Sequence, residues 1–231
     1  MKEFYRKYKH GLPMIIYSVI YLVWFAYLEQ RQVKASEYMN VHMTIDNYIP
    51  FCEVFVVPYL LWFLYIPAVL IYLFFKDKEG YWRNGVFLGT GMTVFFIFST
   101  CIPNVHHLRL KEFPVDNVFT WMIGLLWKTD TATNLFPSIH VFNSIGAHLA
   151  VLNNKELSEN KKIRYGSLVL CILIIMSTVL IKQHSMFDVL TAFIMAAAMY
   201  VTVYYYDIVG VCQHKYRYQA ARRARKRARM S

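Results

Sequence analysis

Long apolar blocks, rather than periodic apolar stripes, dominate this chain of 231 residues. Hydrophobic residues make up 57% of the sequence and charged residues only 17%, which is less charge than a soluble domain of this size usually carries. A helix needs about 20 consecutive apolar residues to cross the hydrocarbon layer of a bilayer. The blocks therefore predict an all-α integral membrane protein, built as a helical bundle.

The apolar blocks divide into six predicted membrane-spanning helices, over approximately 11–29, 52–75, 84–103, 135–152, 165–182 and 187–208. Residues 1–10 are basic, but no small-residue cleavage site follows the first block, which favours a retained span over a signal peptide. The fourth block is the most polar, and it can span a membrane only if its polar side chains face other helices. No linker or internal repeat is visible, so we predict one membrane domain over 1–210 and a basic tail over 211–231.

The distribution of lysine and arginine predicts the orientation of the bundle. One side of the six spans carries 19 of the 25 lysines and arginines, counting both termini and the loops after the second and fourth spans. Cytoplasmic segments of membrane proteins are enriched in these residues. We therefore expect both termini in the cytoplasm and the loops 30–51, 104–134 and 182–186 outside.

Much of the net charge of +11 lies in the tail, in the run Ala221–Arg229. Two interpretations of the tail stay open: it binds anionic lipids, where each basic residue contributes about 1 kcal/mol, or it is a disordered topology signal. Nucleic acid is not an expected partner, because the tail is held at a bilayer. The four cysteines lack metal-ligand spacing and no carboxylate cluster suggests a metal, so we expect no metal and no cofactor.

Two short polar runs at the expected outer face carry the candidate chemistry: Pro137–His140 at the start of the fourth span, and Ser177–Asp188 between the fifth and sixth spans. Ionisable groups beside hydrocarbon are costly, which marks them as candidates for function. His184 and Asp188 have the spacing i, i+4 and share one face of a helix. A histidine can attack phosphorus, and a carboxylate on its far nitrogen fixes the tautomer and stabilises the charged ring.

Other residues at the same face complete a set suited to phosphoryl chemistry. His140 can protonate a leaving group, and Asn143 lies one turn away and can support it. Two cations, Arg109 and Lys182, can bind an anionic group such as phosphate. Ser138 adds a hydroxyl at a helix start, where free N–H groups also favour an anion.

The two runs resemble motifs of the type-2 phosphatidic acid phosphatase superfamily, which contains membrane lipid phosphatases and phosphotransferases. That superfamily carries a Lys-x6-Arg-Pro element, a Pro-Ser-Gly-His element and a Ser-Arg-x5-His-x3-Asp element. The second element is matched by Pro137–His140, with Ile139 in place of glycine. Arg109 is the best candidate for the first element, with leucine after it instead of proline and Ile102 where the lysine stands.

The third element is matched by Ser177, His184 and Asp188 at the correct spacing, with Thr178 in place of arginine. Lys182 can replace that arginine, because it lies one helical turn further along. The Pro-Ser-x-His variant is similar to the branch that contains inositol phosphorylceramide synthases and sphingomyelin synthases. That branch transfers phosphorylated head groups between lipids.

The resemblance implies a metal-independent phosphohydrolase or phosphotransferase that acts on a lipid phosphate ester at the outer leaflet. His184 is then the nucleophile that forms a phosphohistidine, Asp188 orients it, and His140 is the acid and base. Phosphatidate, isoprenoid pyrophosphate and a phospholipid head-group donor all fit, with water or a lipid hydroxyl as acceptor. The expected substrate-binding residues are Arg109, Lys182, Ser138, Ser177 and Asn143.

Structural interpretations stand beside these. His148, in mid-span, is expected to be a hydrogen-bonded core residue, and His106 and His107 are expected to be loop residues. Lys182 is equally an interface anchor, and Ser177 can bond its own helix backbone. At the level of the whole protein, two alternatives remain: a catalytically degenerate protein that binds or moves lipids, and a structural membrane protein anchored by its basic tail.

Overall fold

The computed structural model describes residues 8–215. The segments 1–7 and 216–231 lie outside the described residues, and with them most of the predicted basic tail. The α-helices are α1 (Leu12–Gln30), α2 (Val56–Lys76), α3 (Lys78–Cys101), α4 (Val118–Thr129), α5 (Ile139–Asn153), α6 (Lys155–Glu159), α7 (Lys161–Leu180) and α8 (Met186–Tyr200).

Shorter elements complete the chain. Single 3-10 turns lie at Lys9–Gly11, Ala35–Glu37, Thr44–Asn47 and Glu53–Phe55. A small parallel ladder pairs β1 (Met39–Asn40) with β2 (Asn104–Val105). A π-helical turn, Val201–Tyr205, continues α8, and residues 208–215 are again helical.

Five helical segments are long and apolar enough to cross a membrane, which makes this an integral membrane protein of helical class. They are Lys9–Gln30, Glu53–Lys76, Lys78–Cys101, Lys161–Leu180 and Met186–Lys215. The helix of the third span begins earlier than predicted. The third span starts at Lys78 rather than near residue 84, because the Asp77 side chain accepts from the N–H of Gly80 and caps the helix there.

The fourth predicted span, 135–152, is not among those five segments. Its helix, α5, has 15 residues, which gives a length of about 22 Å against a hydrocarbon layer of about 30 Å. Residues 134–138 are not helical, and two of their backbone N–H groups are bonded elsewhere: Asn104 Oδ1 accepts from the N–H of Leu135 at 2.6 Å and of Phe136 at 3.2 Å. Ten of the 15 residues of α5 are buried, among them His140, Asn143 and Ser144, so these polar side chains face protein.

The helix α5 is the centre of the bundle and packs against α2, α3, α7 and α8. Two glycines let it approach α3 closely: Gly91 of α3 lies under the Phe142 ring, and Gly146 of α5 lies under Phe87. The two phenylalanine rings stack, with centroids 4.7 Å apart. Close packing of this kind, rather than a hydrophobic difference between helices, holds helices together inside a membrane.

The two ends of α5 contact opposite ends of α3. At its start, the segment before α5 is bonded to Asn104, just after α3. At its end, Asn154 donates through Nδ2 to Asp77, just before α3, at 2.9 Å. The chain over 134–154 therefore runs antiparallel to α3 and covers its whole length.

We predict that Gly91→Ala lowers the melting temperature of the detergent-solubilised protein by about 3–10 °C, because an added Cβ overlaps the Phe142 ring and overpacking costs about 1–3 kcal/mol. The matched control is Gly166→Ala in α7, where an added Cβ meets nothing within 4 Å. That variant should melt at or slightly above the wild-type temperature, since alanine is the better helix former. Melting can be followed by intrinsic fluorescence, and equal melting temperatures for both variants would contradict the packing at Gly91.

Candidate active site

Two histidines that lie 44 residues apart in sequence meet at one end of the bundle. The Nδ1 atom of His140 is 3.3 Å from the Nε2 atom of His184, and both side chains are buried. Their ring centroids are 5.5 Å apart. The sequence expectation that these two rings meet is therefore confirmed.

A carboxylate holds the far side of the second ring. Asp188 Oδ2 is 3.3 Å from His184 Nδ1, and the same oxygen accepts from the backbone N–H of Ser185 at 2.8 Å. Ser185 is the N-cap of α8 and its hydroxyl accepts from the N–H groups of Phe187 and Asp188, so the motif is a capping box. Asp188 thus caps a helix and contacts His184 at the same time.

The turn after α7 fixes the backbone that carries His184. The N–H groups of Gln183 and His184 both donate to the carbonyl of Thr178, at 3.0 and 2.9 Å. Lys182 adopts a left-handed conformation with φ of 57°, which reverses the chain direction there. Local hydrogen bonds therefore determine where the His184 ring points before any ligand is present.

The other histidine is fixed by the start of α5 and by aromatic rings. Ser138 is the N-cap of α5, and its own N–H donates to the carbonyl of Asp188 at 3.2 Å, which joins the two polar runs directly. The rings of Tyr59 and Trp62 flank His140, each with a centroid distance of 4.6 Å. These contacts leave His140 little rotational freedom.

Neither predicted phosphate-binding cation contacts the histidine pair. The Nζ of Lys182 donates to the carbonyls of Ile49 at 2.6 Å and Asp46 at 3.3 Å, in the loop before α2. Burial lowers the pKa of Lys182 from its ordinary value. Lys182 therefore ties down a loop rather than extending into a ligand site.

Arg109 lies behind the pair. Its guanidinium donates to the carbonyl of Trp127 at 2.9 Å and to the side-chain oxygen of Gln183 at 2.7 Å. Burial, followed by the positive charge of Arg109, lowers the pKa of His184 to about 3. His184 is neutral near pH 7 as a result, which is the form that has a free lone pair.

The two remaining expected binding residues have different surroundings. The hydroxyl of Ser177 donates to the carbonyl of Ile174 at 2.6 Å, inside its own helix, as the structural interpretation expects. Asn143 lies beside the pair, and its buried Oδ1 has no hydrogen-bond partner in the described part of the chain. Of these two, only Asn143 is open to a ligand.

A cavity of about 500 Å³ lies next to the histidine pair. We call it the chamber. Its walls are apolar side chains of α1, α2 and α3, and its polar end is formed by Glu29, Asp130, Asn134, His140, Asn143 and His184. Within residues 8–215, no lysine or arginine lines it.

Several buried polar atoms around the chamber lack partners. These are the indole N–H of Trp62 and the Oδ1 atoms of Asn134 and Asn143, considering protein partners among the described residues. Buried polar groups in native proteins are nearly always hydrogen-bonded, so unpaired ones that line a cavity indicate that water or a polar ligand occupies it. Both a donor and acceptors are available to such a ligand.

The structure adds residues for which the sequence offered no signal beyond their polarity. Asp130 Oδ2 accepts from Tyr59 at 3.0 Å and from Gln183 Nε2 at 2.9 Å, so this cluster links the histidine pair to Arg109. Burial raises the pKa of Asp130 to about 6, against the smaller effect of the hydrogen bond from Tyr59. Gln183 precedes His184 directly, and this position in the motif was the only available clue.

The other histidines have structural contacts. The ring of His106 is buried, its Nε2 donates to the carbonyl of Gln183 at 2.9 Å, and its Nδ1 accepts from the N–H of Leu108. Burial lowers its pKa to about 4, which keeps this neutral tautomer in place. His148 bonds to the hydroxyl of Ser167 at 2.9 Å, two turns from His140. His106 holds the loop against the turn that carries His184.

Comparisons of the chain with family models, curated proteins and solved structures found no match. Within residues 8–215, no three histidine, cysteine, aspartate or glutamate residues lie close enough together to hold a metal ion. The functional interpretation therefore depends on the geometry of this site.

We predict that the stability of the protein depends on the ionisation of Asp130. Its pKa is raised on folding from 3.8 to about 6, so its contribution is fully present below about pH 4 and is lost as the pH rises through about 6. The loss amounts to a few kcal/mol at most, since one pKa unit corresponds to about 1.4 kcal/mol.

The measurement is the melting temperature of the wild type and of Asp130→Asn between pH 4 and 8. An asparagine can still accept from Tyr59 and Gln183 but does not titrate. The wild type should lose stability relative to the variant across that range. Parallel curves would show that Asp130 ionises without cost and would contradict the prediction.

Proposed function

We propose that this protein is a membrane lipid phosphatase or phosphotransferase that cleaves a lipid phosphate ester through a phosphohistidine intermediate. The observation that carries the proposal is the contact chain from His140 to His184 to Asp188 at the polar end of an apolar chamber. A nucleophile, a base within reach and a carboxylate that orients the ring form the usual arrangement for nucleophilic catalysis.

The atoms of the pair suggest how protons move. If His184 carries its proton on Nδ1 and donates it to Asp188, its Nε2 has the lone pair, which accepts the Nδ1 proton of His140 until a phosphoryl group comes between the two rings. In the first step, His184 Nε2 attacks phosphorus, and His140, which has become an imidazolium by taking a proton from the bound phosphate ester or from solvent, gives its Nδ1 proton to the departing oxygen and returns to the neutral form. In the second step, His140 takes a proton from water or a lipid hydroxyl, whose oxygen displaces His184 from phosphorus.

The groups proposed to contact the phosphoryl oxygens are those that lie beside the pair. Trp62 and Asn143 both line the chamber, and the indole N–H of Trp62 and the Oδ1 of Asn143 have no hydrogen-bond partner among the described residues. Ser138 opens α5, where the helix N-terminus favours an anion. Arg109 supplies positive charge from behind His184, and Lys182 acts through the loop that it anchors.

The proposal includes six membrane crossings with both termini in the cytoplasm. Because 134–154 runs the full length of α3, it is the crossing that returns the chain between α3 and α7, although α5 itself is short. The histidine pair is then on the extracytoplasmic side, as the lysine and arginine distribution favours. The tail beyond residue 215 is proposed to contact anionic lipids.

A second candidate is a protein that binds or moves lipids without chemistry. The observation that favours it is the lack of any lysine or arginine in the lining of the chamber, for the residues that the structure describes. Glu29 and Asp130 line the same end and oppose a bound anion. Experiments that detect the chemical step directly separate the two candidates.

We predict that His140→Ala and His184→Ala each lower turnover of a lipid phosphate by at least about 100-fold, because acid–base catalysis alone contributes about 10²–10⁴-fold. The assay measures phosphate release or head-group transfer over a panel of lipid phosphates, with and without a diacylglycerol or ceramide acceptor. His148→Ala is the matched control: it removes a histidine from the same helix without touching the pair. Wild-type turnover in either of the first two variants would refute the assignment.

We also predict that radiolabelled substrate leaves a phosphoryl group on His184 when the reaction is quenched rapidly in alkali, where phosphohistidine survives. The label should map to the peptide that contains His184 and should be absent from His184→Ala. The comparison requires that His140→Ala, His184→Ala and the wild type have the same melting temperature, which shows that all three are folded. Turnover by the wild type with no label on any histidine would rule out this intermediate. If the wild type shows no turnover and carries no label, the lipid-binding candidate is favoured.

A further inference from the structure

The chamber is elongated along the first helix. Seven residues of α1 line it at helical spacing, between Met14 and Glu29. Fifteen residues of helix span about 22 Å, so the chamber extends well beyond the histidine pair toward the start of α1. These residues are Met14, Tyr17, Ser18, Tyr21, Leu22, Phe25 and Glu29.

The walls of this extension are mostly apolar, and two hydroxyl groups among them are hydrogen-bonded to backbone carbonyls. On the other side it is lined by Ile66, Pro67 and Leu70 of α2 and by Leu88, Gly89, Met92 and Phe95 of α3. The Tyr17 hydroxyl donates to the carbonyl of Gly89 at 2.7 Å, and the Ser18 hydroxyl donates to that of Met14 at 2.8 Å. The unpaired polar atoms around the chamber are all at the histidine end, so a ligand here needs one polar end and one hydrocarbon end.

The extension opens sideways between α1 and α2. Leu22 of α1 and Phe63 of α2 both line the chamber, yet they are 61% and 52% exposed. Both lie inside helices long enough to span the membrane, so their exposed surfaces face hydrocarbon rather than water. A hydrocarbon chain can pass this rim without leaving an apolar environment.

We propose that the extension holds one hydrocarbon chain of the lipid substrate, admitted from the bilayer between α1 and α2, and that the side chains around Gly89 limit its length. The assignment of the polar end to a phosphate ester rests on the function proposed above, whereas the binding of the chain does not require turnover. A chain in this position places its head group beside His140 and His184.

Gly89 is the position where this proposal can be tested by steric change. A Cβ built there meets only the Tyr17 ring, at 3.7 Å, which is ordinary van der Waals contact. The backbone at Gly89 therefore tolerates a side chain, and a leucine there takes space that a long hydrocarbon chain needs; an unchanged melting temperature of Gly89→Leu checks that the fold accepts it. The matched control is Gly166→Leu in α7, where an added Cβ meets nothing within 4 Å.

The first test is photocrosslinking with an alkyl phosphate that carries a diazirine at the end of its chain, using the full-length protein in lipid nanodiscs. Adducts are expected on 14–22 of α1 and 66–70 of α2, and excess dodecyl phosphate should suppress them. His184→Ala should give the same adducts, because the chain site does not depend on the nucleophile. Adducts that appear equally on lipid-facing residues such as Ile194, 70% exposed in α8, and that resist competition would overturn the proposal.

The second test measures affinity and kcat/KM for alkyl phosphates with chains of 6 to 16 carbons. Gly89→Leu should lower the ratio of long-chain to short-chain values by about tenfold or more, since a few methylene groups in an apolar pocket discriminate to that extent. Gly166→Leu should leave the ratio unchanged. An unchanged ratio in Gly89→Leu would overturn the proposal.

The two proposals fail separately. If the crosslinks and the chain-length dependence of binding appear without turnover of any lipid phosphate, the chain site stands and the enzymatic function fails. If turnover depends on His184 but the adducts resist competition and the chain-length ratio is unchanged in Gly89→Leu, the enzymatic function stands and the chain site fails.

Discussion

Asp188 is the residue on which the arrangement of this site depends. Its side chain contacts His184 and caps α8, and its carbonyl accepts from Ser138, the cap of α5. One buried residue therefore sets the position of two helix starts and two histidines. Burying a carboxylate costs several kcal/mol unless hydrogen bonds offset it, so the capping interactions and the histidine contact are needed together.

The bundle supplies the rigidity that such a site requires. A catalytic pair must be held within about 0.5 Å of its working geometry. The helix α5, which carries His140, packs against four other helices. Gly91 and Gly146 allow the Phe87–Phe142 stack, which removes freedom from α5 below His140. The loops above the pair are held in turn by Lys182, Arg109 and His106, whose donors all end on carbonyl or amide oxygens. The charged residues that the motif suggested as ligands thus contribute mainly through loop structure.

The sequence predicted the fold class and the central contacts of the site. The helical class and five of the six predicted spans follow from hydropathy. His184 does contact Asp188, but not on one helix face as the i, i+4 spacing predicted: His184 precedes the N-cap Ser185, and the capping box brings Asp188 to it. The meeting of His140 with His184 was predicted from the charge distribution, which puts both polar runs at one membrane face, and from the motif resemblance. Tyr59, Trp62 and Asp130 come from separate elements, and no spacing relates them to the pair, so only tertiary structure could identify them. The start of α5 was placed too early because hydropathy does not register the hydrogen bonds that Asn104 makes to the backbone.

The electrostatics of the chamber determine how an anion could be held without a cation in its lining. The positive charge of Arg109 lowers the pKa of His184, so its field reaches the Nε2 atom although Gln183 lies between. A field that disfavours a proton on His184 favours, by the same amount per charge, a negative group at that place. The opposing carboxylate of Asp130 has its pKa raised to about 6 by burial, so uptake of a proton when an anion binds costs little near neutral pH. For the phosphate ester proposed as substrate, binding is then expected to be coupled to protonation of Asp130.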